Sequence, residues 1–179
     1  MDMERELDIK LVVFDVDGVL TDGSLYYSEA GECFKKFNVK DGVGIKLLQD
    51  QGIAVAVVSA KESAPLSRRM ADLGIALFRP GTKDKLAVVQ SIAGELGIEM
   101  EQVAMVGDDM VDLNVMRECG LSIAPADAYE QVLKRVDWVT KAEGGGGVAR
   151  EVADRILALS HDLDEIYKIT TTAHFERKR

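Results

Sequence analysis

Cysteine, proline and aromatic residues are all scarce in this sequence, which contains two cysteines, three prolines and 6% aromatic residues among 179 positions. Two cysteines form at most one bridge, which excludes a disulfide scaffold. We interpret Cys33 and Cys119 as core thiols of a protein from a reducing compartment. The sequence has no internal repeat and no biased segment apart from Gly144–Gly147, which excludes a solenoid or a low-complexity chain.

Positive charge is also in short supply, with 22 Lys and Arg against 31 Asp and Glu and a formal net charge of -9. Such a chain repels phosphate backbones and anionic lipid surfaces, so we expect no nucleic-acid or membrane partner. The charged N-terminus has no apolar stretch of signal-peptide length, and the longest apolar run is that of a buried strand. We therefore expect a cytoplasmic protein.

The length and the apolar content are sufficient for one hydrophobic core. The 179 residues, 47% of them hydrophobic, predict a single domain. Apolar runs rich in β-branched residues, typical of strands that a parallel sheet buries on both faces, occur at Ile9–Phe14, Ile53–Val58 and Val103–Val106. Shorter runs predict weaker strands at Ile75–Phe78, Leu121–Ala124 and Trp138–Thr140.

Helical patterns lie between these runs. Apolar spacing and terminal glycines predict helices at Gly42–Asp50, at Ser63–Leu73 and from Thr82 to Gly97. A C-terminal helix is predicted from five apolar residues that share one face: Val148, Val152, Ile156, Leu159 and Leu163. This alternation predicts an α/β fold, a doubly wound, Rossmann-like parallel sheet, in one domain over residues 1–169 with a tail at 170–179.

One stretch after the first strand breaks the alternation. The segments Ser24–Tyr27 and Cys33–Phe37 flank a short turn that contains Gly31, which predicts a β-hairpin at about residues 24–38. Its aromatic residues either meet another subunit or pack locally, and the sequence does not decide between the two.

Polar residues follow three of the apolar runs, where an open parallel sheet binds its ligands. The first run is followed by Asp15–Gly18, the second by Ser59 and the third by Gly107–Asp112, while Lys83 and Lys85 open the intervening helix. Clustered carboxylates without His or Cys favour a hard cation that keeps several waters, which indicates magnesium. Because like carboxylates repel, the site needs that cation before it admits a phosphate, and Lys85 supplies a second positive charge.

Each of these features alone has an ordinary explanation. An Asp-Gly pair often marks a turn, Ser59 is a possible helix cap, and a helical Lys85 is usually a solvated charge. A calcium loop is excluded, because Val19 occupies a required oxygen-ligand position and Gly18 comes too early for the glycine turn. The prediction of a magnesium and phosphate site therefore rests on the combination of these features.

In this order, the motifs resemble those of the haloacid dehalogenase-like phosphohydrolases, over essentially the whole domain. The resemblance implies that Asp15 attacks phosphorus to form an aspartyl-phosphate, while Asp17 protonates the leaving alkoxide and later activates water. It further implies a metal site built from Asp15, the backbone carbonyl of Asp17 and Asp108. Ser59 and Lys85 are then expected to bind the phosphoryl oxygens. The resemblance also implies that Asp109 and Asp112 either orient Lys85 or support the residues that bind the metal.

Several longer segments are similar to one subfamily, the 3-deoxy-D-manno-octulosonate 8-phosphate phosphatases: Asp15–Gly23, the Tyr26-Tyr27 hairpin, Phe37–Ile45, Asp84–Leu86 and the glycines before Val148–Glu151. The resemblance implies magnesium, a sugar-acid phosphate substrate and a homotetramer in which neighbouring hairpins and C-terminal segments help to close each site. It also implies a fold without a cap domain. The spacings agree, since only a hairpin fits between Gly18 and Lys40 and only a helix–strand unit between Ala60 and Thr82.

The chain departs from the subfamily at two places. Ser59-Ala60-Lys61 stands where the subfamily has Thr-Gly-Arg, and Arg79-Pro80-Gly81 replaces Gln-Gly. Lys61 does not reproduce the bidentate fork of an arginine, so the sugar is left open. The candidate residues for binding phosphate or substrate are Ser59, Ala60, Lys61, Arg69 and Gly81.

Four functional hypotheses remain. The first is a magnesium-dependent phosphatase of 3-deoxy-D-manno-octulosonate 8-phosphate in surface-carbohydrate biosynthesis, such as that of lipopolysaccharide. The others are a phosphatase of nine-carbon, sialic-acid-type 9-phosphates, a phospho-acceptor regulatory module with little turnover, and a phosphatase of protein or nucleic-acid ends. Asp17 argues against the module, which needs no general acid, and the acidic balance argues against nucleic acid. The Gly144–Gly147 stretch is either a flexible linker or a loop whose backbone approaches the ligand.

Overall fold

The computed structural model of the chain describes residues 7–170 and contains a six-stranded parallel sheet and a separate two-stranded hairpin. The strands are β1 (Leu11–Phe14), β2 (Tyr26–Ser28), β3 (Gly31–Phe34), β4 (Ala54–Val58), β5 (Leu77–Arg79), β6 (Val103–Val106), β7 (Leu121–Ala124) and β8 (Trp138–Val139). The order in the large sheet is β5-β4-β1-β6-β7-β8, and every neighbouring pair is parallel. The chain therefore winds outwards in both directions from β1, which confirms the predicted doubly wound fold.

Seven α-helices connect and flank these strands in the described residues: α1 (Val39–Asp50), α2 (Ala64–Asp72), α3 (Lys85–Leu96), α4 (Leu113–Glu118), α5 (Glu130–Leu133), α6 (Val148–Leu157) and α7 (Leu163–Thr170). Helix α1 begins at Val39 rather than at Gly42, because the Asn38 side chain caps it by accepting the backbone N–H of Lys40 at 2.9 Å. Within residues 7–170, none of the helices has the length and hydrophobicity required to cross a membrane.

The sheet separates two hydrophobic cores. Along β1, Val12 and Phe14 pack into one core, and Leu11 and Val13 into the other, as expected for successive residues of a strand. The first core includes buried residues of α1, α2, α6 and α7, and the second includes those of α3, α4 and α5. The fold is thus three layers, and the strands are apolar without alternation because both faces are covered.

The hairpin of β2 and β3 projects after β1, as predicted, and no cap domain is inserted in the described segments 18–40 and 60–82. Local packing accounts for part of its aromatic content, since the rings of Tyr26 and Phe34 stack with their centroids 4.4 Å apart. Tyr27 nevertheless stays 65% exposed. The prediction of a core thiol is wrong for Cys33, which is exposed on β3, whereas Cys119 is half-buried.

The prediction of one continuous C-terminal helix is wrong, because α6 and α7 are separate. Asp162 immediately precedes α7, and its side chain accepts the backbone N–H of Asp164 at 2.9 Å. An Asp followed three residues later by Glu165 is a helix-start pattern, and it interrupts the apolar spacing from Leu159 to Leu163. Leu159 is accordingly 48% exposed. The predicted tail lies outside the described residues, except for Thr170, which ends α7.

Candidate active site

The site forms at the carboxyl end of the central strand β1. Asp15 follows β1 directly, and its backbone N–H donates to the carbonyl of Val106 at 2.9 Å. Parallel pairing of β1 with β4 and β6 places Phe14 opposite Val57 and Val106. The buried Asp15 therefore lies between the loop after β4 and the loop after β6, at the point where the strand order reverses.

Three carboxylates converge at this point. Asp15, Asp108 and Asp112 each offer an oxygen atom, and the three oxygens lie within 4.8 Å of one another. Burial, followed by the charges of Asp15 and Asp112, raises the pKa of Asp108 to about 7. Burial and the charge of Asp112 likewise raise the pKa of Asp15, although Lys85 opposes the shift. The group therefore carries more negative charge than the protein alone neutralises.

Lys85 provides the positive charge next to these carboxylates. It is the first residue of α3 and is 5% exposed, and its Nζ lies 2.9 Å from Asp15 Oδ1 and 2.7 Å from Asp112 Oδ1. Burial disfavours the ammonium, but the two carboxylates outweigh burial and raise the pKa of Lys85. Lys85 is therefore a fixed cation beside Asp15 and not a solvated surface charge, and its binding of phosphoryl oxygens stays a prediction.

Asp112, rather than Asp109, holds Lys85. Asp112 is fully buried, and its second oxygen accepts the backbone N–H of Asp108 at 3.2 Å. Asp109 is exposed, and its side chain accepts the backbone N–H of Met110 at 2.6 Å. Of the two carboxylates expected to support the site, the structure places Asp112 against Lys85 and Asp109 at the adjoining turn.

The loop Val16–Leu20 is fitted closely against Asp108. Gly18 has a φ of +86°, and a Cβ at this position would stand 2.0 Å from Asp108 Oδ2. A glycine is required here for both its backbone conformation and its lack of a side chain. The contact brings the loop that carries Asp17 to the end of β6.

Asp17 has a partner that the sequence did not reveal. Its Oδ1 accepts a hydrogen bond from Lys35 Nζ at 2.7 Å, and Lys35 is also 2.6 Å from Glu32 Oε1. The Lys35 side chain is only 1% exposed. In the sequence, Lys35 looks like a solvated residue at the end of a hairpin, and no spacing rule connects it with a carboxylate in a different loop.

The loops after β4 and β5 are joined beside the carboxylates. The Ser59 carbonyl accepts the backbone N–H of Thr82 at 2.9 Å, and the Lys61 carbonyl accepts that of Gly81 at 3.4 Å. Ser59 is buried and its hydroxyl accepts the backbone N–H of Lys61 at 3.2 Å, whereas Ala60 and Lys61 are exposed. The structure thus brings these four predicted binding residues together at one edge of the sheet, and their roles stay predictions.

Arg69 lies elsewhere, in a groove of about 440 Å³ between α1 and α2. Its guanidinium carbon is 5.9 Å from the centroid of the Phe37 ring, and a Cβ on Gly42 would meet its Nη2 at 2.9 Å. Within residues 7–170, no hydrogen bond or ion pair links Arg69 to the carboxylate group. A role for Arg69 in binding substrate stays a prediction.

The glycine-rich loop is neither a free linker nor remote from the site. The backbone N–H of Gly145 donates to the carbonyl of Val19 at 3.0 Å, and a Cβ on Gly144 would lie 2.2 Å from the Gly18 oxygen. The Asn38 side chain donates to the Gly145 carbonyl at 3.2 Å. These contacts clamp the Val16–Leu20 loop from outside, and a contact of the glycines with ligand stays a prediction.

The residues present fit a magnesium ion. The donor set is carboxylate oxygen only, and a divalent cation would relieve the repulsion that raises the pKa values of Asp15 and Asp108. Both oxygens of Asp112 are already engaged, by Lys85 and by backbone N–H groups, so Asp15 and Asp108 are the candidates for direct ligation. Ligation by the Asp17 carbonyl stays a prediction.

Comparison with known proteins identifies the family to which the chain belongs. A family model described as haloacid dehalogenase-like hydrolase matches residues 71–152. A 3-deoxy-D-manno-octulosonate 8-phosphate phosphatase of Haemophilus influenzae is 48% identical over 156 residues, which cover 87% of each chain. The chain belongs to the haloacid dehalogenase-like hydrolases. Within this family it belongs with the 3-deoxy-D-manno-octulosonate 8-phosphate phosphatases, as the sequence motifs indicated. The corresponding Escherichia coli K12 phosphatase is 42% identical over 158 residues, 88% of this chain and 84% of that one.

Solved structures of haloacid dehalogenase-like phosphatases share the fold. The cobalt-bound phosphatase of Haemophilus influenzae aligns with a TM-score of 0.84 and 47% identity over 87% of this chain and 91% of that one. A Moraxella catarrhalis phosphatase, in complex with magnesium, phosphate and a KDO molecule, aligns with a TM-score of 0.88 and 36% identity over 93% and 95% of the two chains.

Proposed function

We propose that this chain is a magnesium-dependent phosphomonoesterase that hydrolyses 3-deoxy-D-manno-octulosonate 8-phosphate to the free sugar acid and phosphate. The observation that carries the proposal is the ammonium of Lys85, which lies 2.9 Å from a buried carboxylate, Asp15, in a chain 48% identical to a phosphatase of that substrate. A phosphoryl group bound at this point meets a nucleophile and a cation together.

Asp15 is the proposed nucleophile. One of its carboxylate oxygens attacks phosphorus, the bond from phosphorus to the sugar oxygen breaks, and Asp17 gives its proton to that oxygen. Asp17 then takes a proton from water as the water attacks the aspartyl-phosphate, which releases phosphate and restores the Asp15 carboxylate. Both steps need an acid and a nucleophile close together, and Asp15 and Asp17 are two residues apart in the chain.

Magnesium would be held by Asp15 and Asp108, with the Asp17 carbonyl as a further proposed ligand. When bound, the ion supplies positive charge that offsets the carboxylates and the phosphoryl oxygens. The protein's own contribution is the Lys85 ammonium, which Asp112 orients, and the Ser59 hydroxyl at the end of β4. Both are proposed to bind the phosphoryl oxygens.

The surroundings of the enzyme are also part of the proposal. We propose a cytoplasmic homotetramer that works in lipopolysaccharide biosynthesis, in which hairpins and C-terminal segments contact neighbouring sites. The exposure of Tyr27 (65%) and Phe34 (53%) on the hairpin supports a contact between subunits, because exposed aromatic side chains are otherwise left in water.

Phosphate release tests the proposal. The purified protein is offered 3-deoxy-D-manno-octulosonate 8-phosphate, a sialic-acid-type 9-phosphate and a hexose phosphate, each with magnesium and with EDTA. We expect magnesium-dependent release that is fastest with the eight-carbon substrate. Preference for the nine-carbon substrate would transfer the proposal to that sugar. Phosphorylation of Asp15 without turnover would identify a regulatory module instead.

A further inference from the structure

Lys35 is a buried cation that the proposed reaction does not yet use. Its Nζ lies 2.7 Å from Asp17 Oδ1 and 2.6 Å from Glu32 Oε1, and its side chain is 1% exposed. A buried ammonium is stable only when it is paired, and these two carboxylates provide the pairing. Because Lys35 follows β3 directly, the contact connects the base of the hairpin to the loop after β1.

The hydrogen bonds that Asp17 accepts all fall on one of its carboxylate oxygens. Oδ1 accepts from Lys35 at 2.7 Å and from the Thr21 hydroxyl at 3.4 Å. In the part of the chain that the structure describes, no hydrogen bond reaches Oδ2. The carboxylate is therefore held through Oδ1, while Oδ2 stays available for proton exchange.

We propose that Lys35 is a positioning residue for Asp17, and that it fixes the carboxylate so that Oδ2 exchanges the proton in both half-reactions. The inference rests on the proposed role of Asp17 as acid and base. The proton moves from Oδ2 to the sugar oxygen as the phosphorus–oxygen bond breaks, and a proton from the attacking water returns to Oδ2. Lys35 keeps its protons throughout, and Glu32 anchors its ammonium from the hairpin side.

Lys36 provides a matched control. It is the next residue of the chain, it also pairs with an aspartate, Asp22, at 2.7 Å, and its side chain is 62% exposed. Replacement of either lysine removes one cation from the base of the hairpin, together with two ion pairs for Lys35 and one for Lys36. Only Lys35 touches Asp17, so an effect that passes through Asp17 separates the two variants.

The experiment measures kcat, KM and the magnesium dependence with 3-deoxy-D-manno-octulosonate 8-phosphate for Lys35→Met, Lys35→Arg and Lys36→Met. We expect Lys35→Met to lower kcat by about 10- to 100-fold, because a misplaced acid loses much of its contribution. KM and the magnesium dependence should change less than about threefold. Lys35→Arg should recover most of the rate, and Lys36→Met should match the wild type.

A second comparison separates positioning from a merely structural role of Lys35. If Lys35 acts through Asp17, then Lys35→Met should slow an Asp17→Asn enzyme no further. An equal loss of kcat in both backgrounds, or a wild-type kcat for Lys35→Met, would overturn the inference. If circular dichroism shows that Lys35→Met does not fold, the double variant Glu32→Gln/Lys35→Met takes its place. The double variant also removes the Glu32 carboxylate, which the loss of Lys35 would leave buried and unpaired. Full activity of Asp17→Asn alone would instead overturn the proposed role of Asp17.

Discussion

The buried carboxylate of Asp112 holds the ammonium of Lys85 at 2.7 Å. The other oxygen of Asp112 accepts the backbone N–H of Asp108 at 3.2 Å, so a single residue connects the cation of the site with a candidate metal ligand. Lys85 in turn lies 2.9 Å from Asp15. Asp112 therefore influences the nucleophile and the metal site although its own oxygens are both occupied.

Replacement of Asp112 by asparagine should damage both stability and catalysis. The amide of asparagine is uncharged and has a single oxygen acceptor, so it cannot accept from both Lys85 and the backbone N–H of Asp108. The buried ion pair between residue 112 and Lys85 is therefore lost. We expect unfolding to be easier by about 3 kcal/mol and kcat to fall at least about 10-fold. Urea unfolding and steady-state kinetics measure the two effects. The control is Asp50→Asn, which removes an ion pair on the surface of α1; equal effects of the two changes would contradict the prediction.

Replacement of the nucleophile should abolish turnover without unfolding the protein. Asp15→Asn keeps the shape of the side chain but removes the attacking oxygen's charge, and we expect phosphate release to fall by more than about 10⁴-fold. Circular dichroism should show an unchanged fold. Acid-quenched enzyme should carry phosphate on the wild type but not on the variant. Hydrolysis by pure Asp15→Asn at the wild-type rate would refute the aspartyl-phosphate mechanism.

A methyl group on Gly18 should disable the metal site selectively. In Gly18→Ala, the new Cβ would stand 2.0 Å from Asp108 Oδ2 at a φ of +86°, so Asp108 has to move. We expect magnesium affinity to fall at least about 10-fold. Gly52→Ala is the matched control, because Gly52 has a φ of +79° but no atom within 4 Å of a Cβ. Calorimetric titration with magnesium compares them, and similar affinities in both variants would rule out the contact as the cause.

Stability of the metal-free enzyme should depend on pH through Asp108. Its pKa in the folded state is about 7, against 3.8 as the ordinary value, so the folded state holds the proton more tightly than the unfolded state. This stabilisation is complete below pH 3.8 and is lost as the pH rises towards about 7. Thermal melts in EDTA should therefore show a steeper loss of stability over this range for the wild type than for Asp108→Asn. Added magnesium should stabilise the wild type more as the pH rises, because it competes with the proton. Parallel curves for wild type and variant would contradict this.

The sheet could be predicted because its signal is local. Strands such as Val103–Val106 are apolar throughout and end in polar motifs, and a parallel sheet brings those ends to one edge. The gathering of Asp15, Lys85 and Asp108 follows from that topology. The start of α1 was misjudged because the cap at Asn38 lies outside the apolar pattern that defined the helix.

Contacts between distant loops could not be predicted. The pairing of Lys35 with Asp17 depends on how the hairpin folds back onto the loop after β1, and the sequence carries no spacing that encodes it. The same holds for Arg69, whose place in the groove between α1 and α2 follows from helix packing. The break between α6 and α7 was detectable in principle, since Asp162 and Glu165 form a helix-start pattern.

The clamp of Gly144 and Gly145 on the loop after β1 sets the order in which the enzyme becomes complete during its synthesis. A growing chain that has emerged as far as Asp112 already contains every proposed acidic residue, yet the backbone that fixes Gly18 and Val19 has still to be made. Such a nascent chain holds the chemical groups without their final arrangement. Catalytic competence therefore requires the segment that contains Gly144 and Gly145, and fragments that end before this segment are expected to be inert.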